Sequence, residues 1–136
     1  MIDNKEKIVE YFKSGVKQNK NFKIGIEHEK FLFNNKDNKR IDYSKIKLMF
    51  AALQEFGWNP VFEEDNIIAL SKGGKNITLE PGNQIELSGD KLNHVHEACA
   101  ESQDYLFELR QVTKKLGINI ISTGFDPISK LSEIPN

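Results

Sequence analysis

Two short stretches of this 136-residue chain place glutamates where they could act together. In Gly25-Ile26-Glu27-His28-Glu29-Lys30 the glutamates stand two apart. On an extended strand that spacing points both carboxylates to one face, with Cα atoms roughly 6.5–7 Å apart. In the second stretch Thr78 and Glu80 share a phase, as do Gln84, Glu86 and Ser88. The opposite phase is apolar: Ile77, Leu79, Ile85 and Leu87. Each segment therefore buries one face and offers glutamates on the other. Carboxylates that merely face water would give the same alternation, so spacing alone leaves both readings open. Strands disfavour glutamate, however, and adjacent carboxylates repel unless a cation joins them. Hard oxygen ligands of this kind suit Mg²⁺, which takes one or two carboxylates and completes its shell with water and nucleotide phosphate.

Other candidates read more simply. His28 points away from the Glu27 face and is expected to pack against helices. Lys30 could reach a phosphate, but a solvent-facing or ion-paired lysine is the simpler reading. His94 and His96, two apart on a helix, face different ways and make no helical metal pair. The Lys72-Gly73-Gly74-Lys75 turn lacks the spacing of a nucleotide-binding loop and reads as a hairpin turn. Cys99 falls in phase with Leu92, Val95 and Leu106, which predicts a buried, unreactive thiol.

Three helices and a set of strands must position these groups. Ile8, Phe12 and Val16 recur at helical spacing from about Asn4 to Lys17, behind Asp3 or Asn4 as a cap. Phe22 to Phe33 reads as a strand. The polar run from Asn34 to Arg40 reads as a loop. Asp42 caps a second helix with Ile46, Met49, Phe50, Leu53 and Phe56 on its core face, ending at Gly57. Short alternating runs follow, VFEED, NIIALS, NITLE and QIELS, separated by KGGK and PGN turns. Lys91 to Leu116 forms the longest helix, with Asp90 at the cap position and Gly117 at the end. A last strand, INIISTGF, runs into a proline-bearing tail. The predicted class is α+β, with helices against an antiparallel sheet.

Composition narrows the partners. Lys+Arg total 19 against Asp+Glu 20, a net charge of -1, which lacks the basic footprint of a nucleic-acid binder. No stretch approaches membrane-spanning length and the N-terminus has no apolar signal-like core, so no membrane partner is expected. A single cysteine makes no internal disulfide, which fits a reducing compartment, the cytoplasm. The length suits one domain. The open-ended tail predicts that residues 1–136 are the N-terminal portion of a single domain cut at its carboxyl end.

The strings themselves carry more than their spacing. GIEHEKFLF, then ITLEPGNQIELSG, then HVHEACAE, closely resemble the glutamate–cysteine ligase family of plants and proteobacteria. GINIISTGFDP is similar to a later strand and loop of that family. Two departures are small: Ile26 stands where Thr is common, and Asn83 where a second Gly is common. Asn tolerates positive φ, so the turn should survive. A larger departure is length: family members are about three times longer, so the resemblance implies that this chain is the N-terminal third.

The resemblance implies a glutamine-synthetase-like catalytic sheet and ATP-dependent joining of glutamate, through its γ-carboxyl phosphate, to cysteine. It implies Mg²⁺ with ATP as co-substrate, and Glu27, Glu29, Glu80 and Glu86 as metal ligands. Gln84 is a candidate substrate contact. The remainder of a ligase chain, and a second copy in a homodimer, are the protein partners it suggests. Plant-type relatives use a cysteine matching Cys99 in a regulatory disulfide, whose partner would lie beyond Asn136. A γ-glutamyl ligase for another amine and a non-catalytic α+β binding domain are the competing readings; glutamates on different sheet faces would favour the latter.

Overall fold

The computed structural model describes residues 4–19 and 22–134. Its helices are α1 (Lys5–Ser14), α2 (Tyr43–Leu53) and α3 (Val95–Leu116). Its strands are β1 (Glu27–Asn34), β2 (Asn59–Glu63), β3 (Asn66–Lys72), β4 (Lys75–Glu80), β5 (Gln84–Ser88) and β6 (Ile118–Ile121). The strands form one six-stranded sheet in the order β2-β3-β4-β5-β1-β6, and every neighbouring pair is antiparallel. The α+β class expected from the sequence is the class observed.

Local chemistry explains the element ends. Asn4 caps α1 by accepting the Lys7 amide at 2.8 Å; the alternative cap, Asp3, lies outside the described residues. Asp42 caps α2, accepting from Lys45 N at 3.1 Å, and Gly57 closes the following 3₁₀ turn with φ 86. The hairpin between β3 and β4 turns on Gly73 and Gly74, so KGGK is structural, as expected. The PGN turn puts Gly82 at φ 72 and Asn83 at φ 56, so the Asn does adopt the left-handed conformation.

Several boundaries differ from the sequence reading: α1 ends at Ser14, short of Lys17, and β6 ends at Ile121, short of Phe125. β1 starts at Glu27, not Phe22: Ile24 makes only an isolated bridge to Leu92. The longest helix starts at Val95 behind a His94 cap, with Asp90 upstream of it. The His94 ring accepts the Glu97 amide at 3.3 Å, and the Glu97 carboxylate accepts from Asn93 N at 2.5 Å. Together they satisfy the helix start in the manner of a capping box.

The core lies between one sheet face and the helices. Leu32, Leu70, Ile77, Ile85 and Leu87 from the sheet meet Ile46, Met49, Phe50 and Leu53 of α2 and Tyr105, Leu109 and Val112 of α3. The buried seam of α3 runs through Ala98, Glu101, Tyr105, Leu109 and Val112. That seam corrects the expected stripe. Val95 is 59% exposed and Cys99 is exposed, because the packed face is centred one residue away from the apolar count. Trp58 and Lys72 both bind the Glu108 carboxylate, at 2.7 and 2.6 Å, and fasten the β2–β3 end of the sheet to α3. No described helix is long and apolar enough to cross a membrane.

Candidate functional site

Strand register decides where the glutamates stand. Glu29 lies directly opposite Glu86, and Glu86 opposite Thr78 on its other side. Glu27 faces Ser88, and Glu80 faces Gln84. Residues opposite one another across a strand pair share a face. Glu27, Glu29, Glu80 and Glu86 therefore all occupy the sheet face that α2 and α3 leave free. The alternating partners Leu87 and Ile85, opposite His28 and Lys30, point into the core.

Three of the four carboxylates are held by a neutral neighbour. Gln84 donates to Glu29 Oε2 at 2.6 Å, Thr78 to Glu80 Oε1 at 2.8 Å, and Ser88 to Glu86 Oε1 at 3.0 Å. Gln84, the candidate substrate contact, thus spends its amide on Glu29. Among the described residues no Lys, Arg or His forms an ion pair with any of the four glutamates. Nor, among those residues, do three or more His, Cys, Asp or Glu side chains converge on a point that could hold a metal ion. The expected sharing of one face is found, but the carboxylates are spread along it. The physical reason is local: like charges separate, and Glu29, Glu80 and Glu86 each follow their own hydrogen-bond donor.

The donor set fits a divalent cation nevertheless. Glu29 and Glu86 are juxtaposed by backbone pairing, and no side-chain cation among the described residues pairs with either. All-oxygen carboxylate donors on a sheet match the preference of Mg²⁺ over softer metals.

Behind this face, under β1, lies a polar layer. His28 Nε2 sits 3.0 Å from Ser102 Oγ on α3, the helix packing expected of it. Burial lowers the His28 pKa, and neighbouring Lys30 lowers it further against the opposing effect of Glu101. Lys30 corrects its expectation: it is only 3% exposed, forms no ion pair, and donates to its neighbour's carbonyl, Glu29 O, at 3.2 Å. Burial pulls its ammonium below the ordinary lysine value. Tyr105 OH is buried there with no hydrogen-bond partner, and burial raises its pKa. The rings of His94 and His96 do approach, to 6.0 Å between centroids, because His94 is a cap residue and not on the helix proper.

Several supporting residues escaped the sequence reading. Glu101, 8% exposed, accepts Asp90 N at 3.2 Å with both oxygens. A Cβ at Gly89 would collide with that carboxylate and with Ile26. Gly89 N also donates to Ile26 O at 2.8 Å, so this junction sets the start of β1 and hence Glu27. Glu101 stood inside the quoted HEACAE string, but nothing in its spacing announced a buried role. Arg40 lay in a run read as loop, yet its side chain is 2% exposed and paired with Asp126 at 2.9 Å. A groove of about 420 Å³ opens between residues 27–30 of β1 and residues 122–124, where β6 has already left the edge of β1.

Comparison with known proteins gives the family. The family model described as glutamate–cysteine ligase family 2 matches residues 23–135. A chloroplastic glutamate–cysteine ligase A of Oryza sativa subsp. japonica is 42% identical over 132 residues, covering 96% of this chain and 27% of the relative. The chloroplastic glutamate–cysteine ligase of Nicotiana tabacum is 41% identical, covering 96% and 25%. That of Arabidopsis thaliana is 37% identical with the same coverage. The chain thus spans about a quarter of the length of the curated relatives it matches. With the family model matched over residues 23–135 and relatives about 40% identical across nearly the whole chain, the chain belongs to glutamate–cysteine ligase family 2.

Proposed function

We propose that this chain supplies part of the metal and nucleotide face of an ATP- and Mg²⁺-dependent ligase that joins L-glutamate to the amine of L-cysteine. In that reaction ATP phosphorylates the γ-carboxylate of glutamate. The cysteine amine then displaces phosphate to give γ-glutamylcysteine, the first step of glutathione biosynthesis. The observation that carries the reading is the Glu29–Glu86 juxtaposition on a sheet face shared with Glu27 and Glu80. A charge repulsion built into backbone pairing is what a cation would relieve. Carboxylates of this face, the opposed Glu29 and Glu86 first, would hold Mg²⁺, with water and phosphate completing its shell, and the ion would offset the negative charge gathering on a transferring phosphoryl group.

The chain's own residues orient that face. Gln84, Thr78 and Ser88 each fix one oxygen of a glutamate. The glutamate and cysteine pockets belong mostly to the remainder of the ligase, so the 136-residue chain alone turns over no substrate. Cytoplasmic action and assembly as a homodimer belong to the same proposal. A segment exchange tests it. This chain is built into the rice relative in place of the matching 132 residues, and glutamate- and cysteine-dependent phosphate release is followed. The chimaera should form γ-glutamylcysteine, and Glu27→Gln within it should not. A folded chimaera without product, or full turnover in the Glu27→Gln form, would count against the reading.

A further inference from the structure

Arg40 is placed where no solvated loop residue would be. Its side chain is 2% exposed, and Nη1 binds Asp126 Oδ2 at 2.9 Å. Its Nη2 donates to the Gly82 carbonyl. The guanidinium lies 4.9 Å from the Phe31 ring centroid and 5.5 Å from that of Phe33, both on the glutamate face of β1. Next to it, buried Asn83 donates from its amide to Ile41 O at 2.9 Å. The 40–41 segment therefore grips the PGN turn at two successive residues. Asp126 in turn accepts the Ile128 and Ser129 amides, each at 2.9 Å. Burial alone would raise the Asp126 carboxyl, but the Ser129 and Ile128 hydrogen bonds and Arg40 hold it down at about 2.

We propose that Arg40 is a positioning residue for the carboxylate face: it clamps the turn joining Glu80 to Glu86 onto β1 and onto the loop after β6. The proposal rests on the reading of that face as a divalent-cation site. Three facts favour it over simple stabilisation. Glu80 immediately precedes the clamped turn and Gln84, which holds Glu29, immediately follows it. A buried ion pair contributes little net stability against an apolar substitute. Moreover, Arg40 Nε is buried without a partner, a cost that a purely structural pair could avoid. A planar fork that reaches Asp126 and Gly82 O together is a geometry lysine cannot copy.

The sign of the effect separates geometry from charge. Removing a cation near a cation site would by itself strengthen metal binding. Loosening the turn would weaken it, and residues that orient metal ligands typically cost about 10–100-fold in affinity when changed. The experiment is Mn²⁺ binding to this chain, read by water-proton relaxation, with circular dichroism confirming the fold of each variant. The charge-neutral double variant Arg40→Gln/Asp126→Asn should bind at least about tenfold more weakly than wild type, and Arg40→Lys should not restore binding. Should the double variant fail to fold, Arg40→Lys alone, which keeps the charge, decides the matter by the same criterion. Wild-type affinity in a folded variant overturns the clamp. If wild type itself shows no Mn²⁺ binding that Glu86→Gln removes, the cation-site reading fails and the clamp's purpose with it.

Discussion

Replacing Glu86 by Gln should make the metal-free chain more stable, the reverse of what removing a hydrogen-bonded side chain usually does. Glu86 sits directly opposite Glu29, and no lysine, arginine or histidine among the described residues pairs with either. Opposed Cβ atoms lie about 5 Å apart, and like charges so placed destabilise a sheet. The carboxylates turn away from each other, Glu29 toward Gln84 and Glu86 toward Ser88. Taking about 7 Å between charges and an effective dielectric of about 60 for partly exposed groups gives roughly 0.8 kcal/mol of repulsion. Salt at ~0.15 M removes about half. Glutamine keeps an oxygen for the Ser88 hydroxyl, so most of that bond survives.

The net gain is about 0.4 kcal/mol, an upward shift in Tm of about 1–2 °C for a domain of this size. The gap should close at about 0.5 M NaCl, where the screening length shrinks to a few ångströms. Magnesium should reverse the order. At tenfold above its dissociation constant a ligand stabilises the native state by about 1.4 kcal/mol, and the variant should forfeit most of that. Thermal unfolding by circular dichroism, with and without MgCl₂ at matched ionic strength, measures both effects. A lower Tm for Glu86→Gln in metal-free buffer, or an undiminished response to Mg²⁺, refutes the argument.

Two further outcomes follow from the same packing. Tyr105→Phe removes a buried hydroxyl that has no partner, so chemical denaturation should show stability unchanged or raised by up to about 1 kcal/mol; a loss of 2 kcal/mol would mean that the hydroxyl is satisfied. Cys99, exposed on α3, should react with a thiol reagent in the native chain at close to the rate of the unfolded chain, and strong protection would place it on the packed seam instead.

Elements whose two faces differ sharply were legible in the sequence. The α2 stripe of Ile46, Met49, Phe50 and Leu53 is fully buried, as its period requires. The alternation of β4 and β5 placed Glu80 and Glu86 on one face and Ile77, Ile85 and Leu87 on the other before any pairing was known. The common face of the glutamates was implicit in that phase, because a strand's side-chain period is two and one buried face sets the register. The strings around them carried the family.

What only the tertiary structure decided was which residues outside those patterns are buried. Amphipathic counting put Cys99 and Val95 on the packed side of α3, but the helix meets the sheet through Ala98, Glu101 and Tyr105, two of them polar. A count of apolar residues cannot find a face whose burial is made tolerable by hydrogen bonds to a distant loop, as Glu101 has with Asp90. Lys30 and Arg40 read as surface cations for the same reason. Arg40 is buried by partners far along the chain, Gly82 and Asp126, which lie 42 and 86 residues away. Local sequence determines periodicity and caps, because those energies arise between neighbours. The burial of a charge is decided only when strands and loops distant in sequence close around it.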